Sequence, residues 1–436
     1  MEREIRFAPL ASLVEPKRGI SYGIVQPGQQ VDSGVPIVRV TDVRNGRIDQ
    51  AEPLRVAPEI AAKYRRTELQ GGELLLTIVG TVGETAVVPK ELRGWNTARA
   101  IAVVPVLSDP GPRWVQYALQ TGAAREYINT RLNTTVQATL NLGDVSTLPI
   151  PMPPRAVRER VLDILGALDD KIELNRRMSE TLESMARELF KSWFVDFDPA
   201  RAKAEGRAPI GVDAETAKLF PSEFVDSDLG PIPQGWKRST LSEACQWSRA
   251  SINPADQPNE QFEHFSIPAF DSGRRPSQDF GSAIKSLKFK VPRESVLVSK
   301  LNPAISRVWL PSPRTNRAVC STEFLVGVTN PPIRQSWLYL FFLSARVREA
   351  MIEQASGTSN SHQRVRPVDL DRLAVVVPPA PILSHFDLLV SPLLERVNSS
   401  QLDSDLLASI RSALLPRLIS GDLSVEGVER ALEATA

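Results

Sequence analysis

Residue types that build metal sites and disulfide frameworks are scarce in this chain. Its 436 residues include two cysteines and three histidines, which are Cys245, Cys320, His264, His362 and His385. Structural zinc modules need ligands in close-spaced pairs, and small secreted domains need many cysteines. The sequence therefore predicts no metal site and no disulfide framework, and it predicts that both thiols are free.

A strong charge of one sign and long apolar runs are also missing. Lys plus Arg number 52 against 51 for Asp plus Glu, which gives a net charge of +1. Any binding of nucleic acid must then come from local basic faces. No run approaches the ~20 apolar residues that span a bilayer, and the first residues lack the apolar core of a signal peptide. We expect a cytoplasmic protein without membrane contact, in which the apolar stretch 337–343 is a buried helix end.

What is present is an internal repeat. The composition, 42% hydrophobic and 24% charged, is typical of a globular chain with two or three domains. The second half restates the first at an offset of 225 residues, so that Asp144 falls on Asp369 and Val161 on Phe386. Each half is a block of roughly 150 residues followed by a long helical segment.

The two blocks carry the pattern of strands and turns. Short apolar runs at 36–40, 74–79, 100–104 and 323–328 are bounded by Gly, Pro and Asn. Prolines at 149–154 and 378–381 stop any helix and favour an extended chain before the next element. The fold class that follows is α+β, with two strand-rich mixed α/β domains.

Helical periodicity begins after these prolines, and apolar residues then recur at alternating intervals of four and three. Each segment of ~40 residues would form a helix ~60 Å long. Two ordinary helical bundles would explain this pattern, but two matched long seams favour an intramolecular coiled coil, with Asn175 near its centre fixing the register. The predicted seam residues are Val161, Leu165, Leu168, Ile172, Leu182 and Leu189 in the first helix and Phe386, Val390, Leu393, Val397, Leu407 and Leu414 in the second.

These patterns predict a linear organisation of six segments. They are a first block at 1–154, a first long helix at 155–197, a linker at 198–234, a second block at 235–379, a second long helix at 380–420 and a tail at 421–436.

Two stretches resemble parts of enzyme sites but lack their essential residues. Asn330-Pro331-Pro332 resembles the loop that holds a flipped adenine in amino-methyltransferases, but Ile333 replaces the aromatic residue that would stack on the base. The stretch 80–83, Gly-Thr-Val-Gly, lacks the Gly-Lys-Ser/Thr of a phosphate loop, and we interpret it as a hairpin turn. The histidines are too scattered for a nucleophilic triad. The sequence therefore predicts no catalytic residue.

Several strings resemble the specificity subunit of type I restriction-modification systems. They are Leu-Asn-Leu-Gly-Asp at 140–144, Leu-Pro-Ile-Pro-Met-Pro-Pro at 148–154, Asp-Asp-Lys-Ile-Glu-Leu-Asn at 169–175, Ser-Trp-Phe-Val-Asp-Phe-Asp-Pro at 192–199 and Leu-Pro-Arg-Leu-Ile-Ser-Gly-Asp-Leu at 415–423. The resemblance covers essentially the whole chain. Departures are Arg-Glu-Arg at 158–160 and Leu-Ser-His at 383–385, where the family often has Glu-Gln, and Asn302-Pro303 in place of the Gly-Thr-Val-Gly turn.

The resemblance implies a non-catalytic subunit that determines DNA sequence specificity. It implies two target-recognition domains that each read one half of a bipartite double-stranded target, separated by two long helices that pair antiparallel. It also implies two adenine-N6 methyltransferase partners that use S-adenosylmethionine, and restriction subunits that use ATP and Mg, while this chain binds no cofactor itself.

Loop residues that follow strands are the predicted contacts with DNA. Arg pairs well with guanine in the major groove, and Asn or Gln pairs with adenine. The predicted residues are Arg39, Thr41, Thr77, Thr81, Asn96, Arg99 and Gln137 in the first block and Lys300, Asn302, Arg307, Ser321, Thr322, Asn360, His362, Gln363 and Arg364 in the second. Each could instead be an ordinary surface polar residue.

Two other readings stay open at this point. A DNA methyltransferase or nuclease with its own recognition domain would bind S-adenosylmethionine as an isolated chain. A coiled-coil adaptor unrelated to DNA would show no preference for any DNA sequence. The base sequence of each half-site and the length of the gap are not readable from the chain.

Overall fold

The computed structural model describes residues 5–133, 137–355, 363–427 and 430. The chain forms two compact units, of which the first comprises Met1–Glu173 with Ser404–Ala436 and the second comprises Leu174–Asp403. Each unit therefore contains one block together with a part of each long helix.

The first block and the first long helix account for the elements up to residue 194. These are β1 (Phe7–Pro9), β2 (Ser21–Tyr22), β3 (Val35–Val38), β4 (Val43–Arg44), β5 (Arg47–Ile48), β6 (Leu54–Val56), α1 (Pro58–Ala61), β7 (Leu74–Thr77), β8 (Thr85–Val87), β9 (Asn96–Thr97), β10 (Ile101–Val104), α2 (Pro112–Leu119), α3 (Gly122–Asn129), α4 (Leu142–Ser146), β11 (Pro149–Pro151) and the long helix α5 (Arg155–Phe194).

The remaining elements follow from residue 198 onward. These are α6 (Asp198–Ala204), α7 (Ala214–Lys218), β12 (Phe224–Val225), β13 (Ile232–Pro233), β14 (Lys237–Thr240), α8 (Leu241–Ala244), β15 (Cys245–Ser248), β16 (Ser251–Ile252), β17 (Gln261–Phe265), α9 (Ile267–Asp271), β18 (Ser277–Phe280), β19 (Lys288–Lys290), β20 (Ser295–Ser299), β21 (Val308–Trp309), β22 (Ala318–Cys320), β23 (Phe324–Thr329), α10 (Gln335–Leu343), α11 (Ala345–Glu353), α12 (Pro367–Asp371), β24 (Ala374–Val377) and the long helix α13 (Ala380–Ile419).

The two blocks share one sheet plan. A four-stranded antiparallel sheet has the order β2-β10-β7-β8 in the first block and β15-β23-β20-β21 in the second. A second sheet contains one parallel pair in each block, β3 with β9 and β17 with β22. Because the carboxyl ends of parallel strands meet at one edge of a sheet, the loops that follow these strands come together.

The two long helices predicted from the periodicity are present, and they pair antiparallel. In the first unit, the start of α5, with Val161 and Leu165, shares a core cluster with Leu415 and Leu418 from the end of α13. In the second unit, the start of α13 packs on the end of α5, where the ring of Phe386 lies 5.7 Å from that of Trp193.

The predicted seam residues differ in how deeply they are buried. Val161, Leu165, Phe386 and Val390 are fully buried. The other predicted seam residues, Leu168, Ile172, Leu182, Leu189, Leu393, Val397, Leu407 and Leu414, are half-buried. The seam residues are therefore buried most deeply where the two helices also pack on a block. Two helices alone leave part of their seam open to solvent.

The segment 198–234 belongs to the second unit and contributes residues to its core. Phe197, the residue immediately before α6, has φ +57°, a left-handed conformation, and Pro199 lies in the first turn of α6. Phe197 and Phe220 join the same core cluster as Trp193 and Trp236. The aromatic residues of the 192–199 string therefore attach the end of the first long helix to the second block.

The apolar stretch, the cysteines and the hairpin turn have the structures that the sequence predicts. The apolar stretch 337–343 is in α10 and is buried, and both cysteines are free and buried. The stretch 80–83 forms the predicted hairpin turn, in which Thr77 N donates to Glu84 O at 2.9 Å. In the described part of the chain, no helix is long and apolar enough to cross a membrane.

Candidate nucleic-acid interface

Four segments of the first block meet where β3, β7 and β9 end. Ala98 N donates to Val38 O at 2.9 Å, Ile78 N to Ala100 O at 2.8 Å, and Gly80 N to Ala138 O at 2.9 Å. We call the surface formed by residues 39–41, 79–83, 98–100 and 137–139 the first loop face. Backbone hydrogen bonds fix these segments to one another, so the side chains between them are presented on a rigid base.

Four of the predicted residues are exposed on the first loop face: Thr41, Thr81, Arg99 and Gln137. The amide of Gln137 covers Gly80, since a Cβ at Gly80 would lie 3.0 Å from Nε2 of Gln137. Gly80 has φ +80°, a conformation that favours glycine. A side chain at this position would therefore displace Gln137 as well as strain the turn.

Arg39 also lies on this face but is partly engaged. Its Nε lies 3.1 and 3.0 Å from the two carboxylate oxygens of the buried Asp42, and its Nη2 donates to Glu52 O at 3.0 Å. The hydrogen bond to Asp42 raises the pKa of Arg39 above its usual value. Because 42% of the Arg39 side chain remains exposed, the guanidinium is held in place and still accessible.

Two predicted residues of the first block are instead part of its interior. Thr77 is fully buried, and its hydroxyl accepts from Glu84 N at 2.9 Å. Asn96 is 2% exposed; its Nδ2 donates to Tyr64 O at 3.0 Å, and its Oδ1 accepts from Thr67 Oγ1 at 2.7 Å. Both side chains stabilise the loops of the block and are not presented to a ligand in this conformation.

The second block has an equivalent surface with the same hydrogen-bond pattern. Ser321 N donates to Phe265 O at 3.0 Å, Lys300 N to Glu323 O at 3.0 Å, and Asn302 N to Gln363 O at 2.8 Å. We call the surface formed by residues 300–302, 321–323 and 363–364 the second loop face. The repeat therefore extends from the sequence to the individual contacts that join the loops.

Most predicted residues of the second block lie on this face. Lys300, Asn302, Ser321, Thr322 and Gln363 are half-buried and Arg364 is exposed. Asn302 has φ +51° at the position equivalent to Gly80, a conformation that asparagine tolerates better than most residues. Arg364 donates from Nη2 to Glu323 Oε1 at 3.0 Å. Asn360 and His362 lie outside the described residues.

Arg307 differs from the other predicted arginines because its guanidinium is turned inward. Its Nε and Nη2 bind the two carboxylate oxygens of Asp271 at 2.7 and 2.9 Å. Its side chain is 10% exposed, whereas that of Asp271 is 46% exposed. The carboxylate is thus the more accessible partner, and Arg307 holds it in place.

Two further cations of the second block, Lys288 and Arg317, also interact with other residues of the block. Lys288 is 8% exposed with its Nζ on Ser286 Oγ at 2.5 Å, and burial lowers the pKa of Lys288. Arg317 pairs with Glu260 at 2.9 Å. The local basic character of this block is therefore weaker than a count of its Lys and Arg residues indicates.

Sequence reasoning missed the carboxylates that orient these cations. Asp42, Asp271 and Glu323 lie beside arginines on or near the two loop faces. Asp42, three residues after Arg39, could have been found by its spacing. The other two could not, because Asp271 and Glu323 are 36 and 41 residues from their partners in the sequence.

A family model described as type I restriction modification DNA specificity domain matches residues 29–184. The chain is 27% identical over 333 residues to the type I restriction enzyme HindI specificity subunit of Haemophilus influenzae, covering 65% of this chain and 71% of that protein. It is 26% identical over 372 residues to the MjaIX specificity subunit of Methanocaldococcus jannaschii, covering 81% of this chain and 78% of that protein.

The fold is also similar to a solved structure. The crystal structure of the S subunit of a type I restriction-modification system from M. genitalium matches with a TM-score of 0.55 and 12% identity, covering 96% of this chain and 97% of that one. At this identity the match supports the fold alone.

Proposed function

Because this chain is similar to type I restriction-modification specificity subunits, we propose that it belongs to their family and that its two blocks each read one half of a bipartite double-stranded DNA target. In this proposal the chain is the DNA-specificity subunit of such a system and not the methyltransferase or the nuclease. The repeated loop face is the observation that carries the proposal. Two similar scaffolds with different side chains suit two half-sites of different sequence.

The equivalent positions of the two faces differ in the chemistry that reads bases. Arg99 of the first face and Thr322 of the second occupy equivalent positions. Each precedes a residue whose carbonyl accepts the corresponding hydrogen bond, from Ile78 N to Ala100 O and from Lys300 N to Glu323 O. Arginine donates in pairs to guanine, whereas threonine forms a single hydrogen bond or contacts a thymine methyl group. The half-site of the first block should therefore include a guanine that the second block does not read in the same way.

Exposure narrows the proposed DNA contacts. In the first block they are Arg39, Thr41, Thr81, Arg99 and Gln137, and Thr77 and Asn96 are left out because they are buried. In the second block they are Lys300, Asn302, Ser321, Thr322, Gln363 and Arg364. Arg307 contributes only by holding the carboxylate of Asp271 in place. Asn360 and His362 remain sequence predictions.

We further propose that the two long helices hold two adenine-N6 methyltransferase subunits and that restriction subunits can join them. S-adenosylmethionine would then be bound by the methyltransferase partners and ATP with Mg by the restriction partners. A net charge of +1 supports this arrangement, because partners that contact phosphates would supply affinity that this chain does not.

The test exchanges the first block alone. Residues 1–154 are replaced by the corresponding block of a relative with a different target, and methylated sites are mapped with the full complex. One part of the target should change while the other part and the gap stay the same. A change in both parts would contradict the assignment of one block to one half-site.

A further inference from the structure

A groove in the first block lies beside the first loop face, and none of its lining residues is among the proposed base contacts. It is lined in part by Tyr22, Lys63, Tyr64, Arg65 and Arg66, and we call it the tyrosine groove. The lining contains three cations and, among the described residues, no carboxylate. Such a surface attracts an anion, because nothing in the groove neutralises its positive charge.

The cations of the groove are arranged in two ways. Arg66 donates from Nη2 to the backbone carbonyl of Arg18 at 2.6 Å, which positions its guanidinium without cancelling its charge. Lys63 and Arg65 are exposed and form no ion pair with any described residue. By contrast, Arg307 and Arg364 of the second block are paired with carboxylates.

The tyrosines add a donor and an apolar surface. Tyr64 Oη accepts from Val25 N at 3.4 Å, so its own hydrogen remains free to donate. Tyr22 is 46% exposed. Free hydroxyl hydrogens and arginines are the groups that bind phosphate oxygens in protein–DNA complexes.

The groove is joined to the first loop face by the backbone. Ile24 N donates to Thr97 O at 2.7 Å, and Arg99 N donates to Ile24 O at 2.8 Å. The next residue, Val25, is the one that contacts Tyr64. A DNA duplex whose bases meet Arg99 would therefore place sugar and phosphate groups close to the groove.

We propose that the tyrosine groove binds phosphates of the DNA backbone next to the first half-site. This inference rests on the proposed function and adds to it a site that positions the duplex without reading its sequence. Lys63 and Arg65 neutralise phosphate charge, Arg66 and Tyr64 donate hydrogen bonds, and Tyr22 packs on the sugar.

The test compares the salt dependence of DNA binding for the full chain in its methyltransferase complex. The variant K63Q/R65Q removes two charges, so the negative slope of log K against log salt should become less steep by roughly 1.8. Between ~50 and ~200 mM salt, its affinity should then fall about tenfold less than that of the wild type. The discrimination between bases of the first half-site should not change.

Arg93 supplies the matched control. Arg93 is exposed and forms no ion pair with another described residue, and it precedes β9, whereas Arg99 follows that strand. Arg93→Gln should leave the slope unchanged. An equal reduction in slope per charge removed, for both variants, would mean that the groove has no special role and would overturn the proposal.

A second arm locates the phosphates. Single methylphosphonate substitutions make individual phosphates of the mapped target neutral, and one or two beside the first half-site should weaken wild-type binding more than binding by K63Q/R65Q, which keeps only Arg66 and Tyr64 as phosphate donors. If these substitutions weaken both proteins equally, the groove is not the phosphate site. If the wild-type complex prefers no DNA sequence, the proposed function fails, whatever the groove does.

Discussion

Phe386 should be among the residues on which the second unit depends most strongly. It is fully buried at the start of α13, and its ring lies 4.7 Å from Phe194, 5.7 Å from Trp193 and 6.1 Å from Phe190, all at the end of α5. Phe386→Ala removes the ring that joins the two helices. The expected loss of stability is about 3 to 5 kcal/mol, because a buried phenyl group leaves a cavity.

Such a loss is a large part of the ~5 to 15 kcal/mol that stabilises an ordinary domain. Urea unfolding followed by tryptophan fluorescence is the suitable assay, because Trp193 contacts the missing ring. Leu388→Ala on the same helix is the control, since Leu388 is 72% exposed and should change stability by less than about 0.5 kcal/mol. Similar shifts of the unfolding midpoint in both variants would refute this description of the helix pair.

Three further results are expected. Arg99→Ala should cost about 1 to 3 kcal/mol of discrimination at the first half-site only, measured by competition with duplexes mutated in either half; equal losses in both halves would argue against separate readers. Burial opposes ionisation of Glu183, but Arg274, Tyr339 and Arg187 hold the pKa of Glu183 below its usual value. The ionised Glu183 therefore stabilises the fold at pH values above its pKa in the unfolded chain. This stabilisation is lost as the pH falls through its pKa in the folded chain. Glu183→Gln should therefore flatten the acid limb of a plot of stability against pH, and an unchanged acid limb would show that the contacts of Glu183 do not stabilise its ionised form. Adding one heptad to both long helices lengthens each by ~10 Å, or ~3 base pairs, and should widen the unread gap in the methylated sites while leaving both half-sites as they were; an unchanged gap with intact activity would contradict a spacing role.

The repeat, the two long helices and their pairing could be predicted from the sequence because they depend on regular apolar spacing. The match of Val161 with Phe386 marks a position that is buried in both copies. The packing of 198–234 could not be predicted in this way. Its short elements carry no period, and the burial of Phe220 depends on Trp193, which is distant in the sequence.

The candidate site was predictable in its location but not in its individual side chains. Arg99 is exposed on the first loop face because it follows β9, which is parallel to β3. Gln137 lies on the same face because Gly80 N donates to Ala138 O. Thr77 lies at the end of β7, next to the same loops, but the hairpin that begins after it uses its hydroxyl internally. The inward orientation of Arg307 depends on Asp271, a contact that no local pattern reveals.

Genome-wide mapping of N6-methyladenine in cells with and without this protein tests the central claim most directly. We expect a methylated motif of two short specific parts separated by a gap of fixed length, present only when the protein is present. Methylation that is unchanged without the protein, or a single contiguous motif, would contradict it.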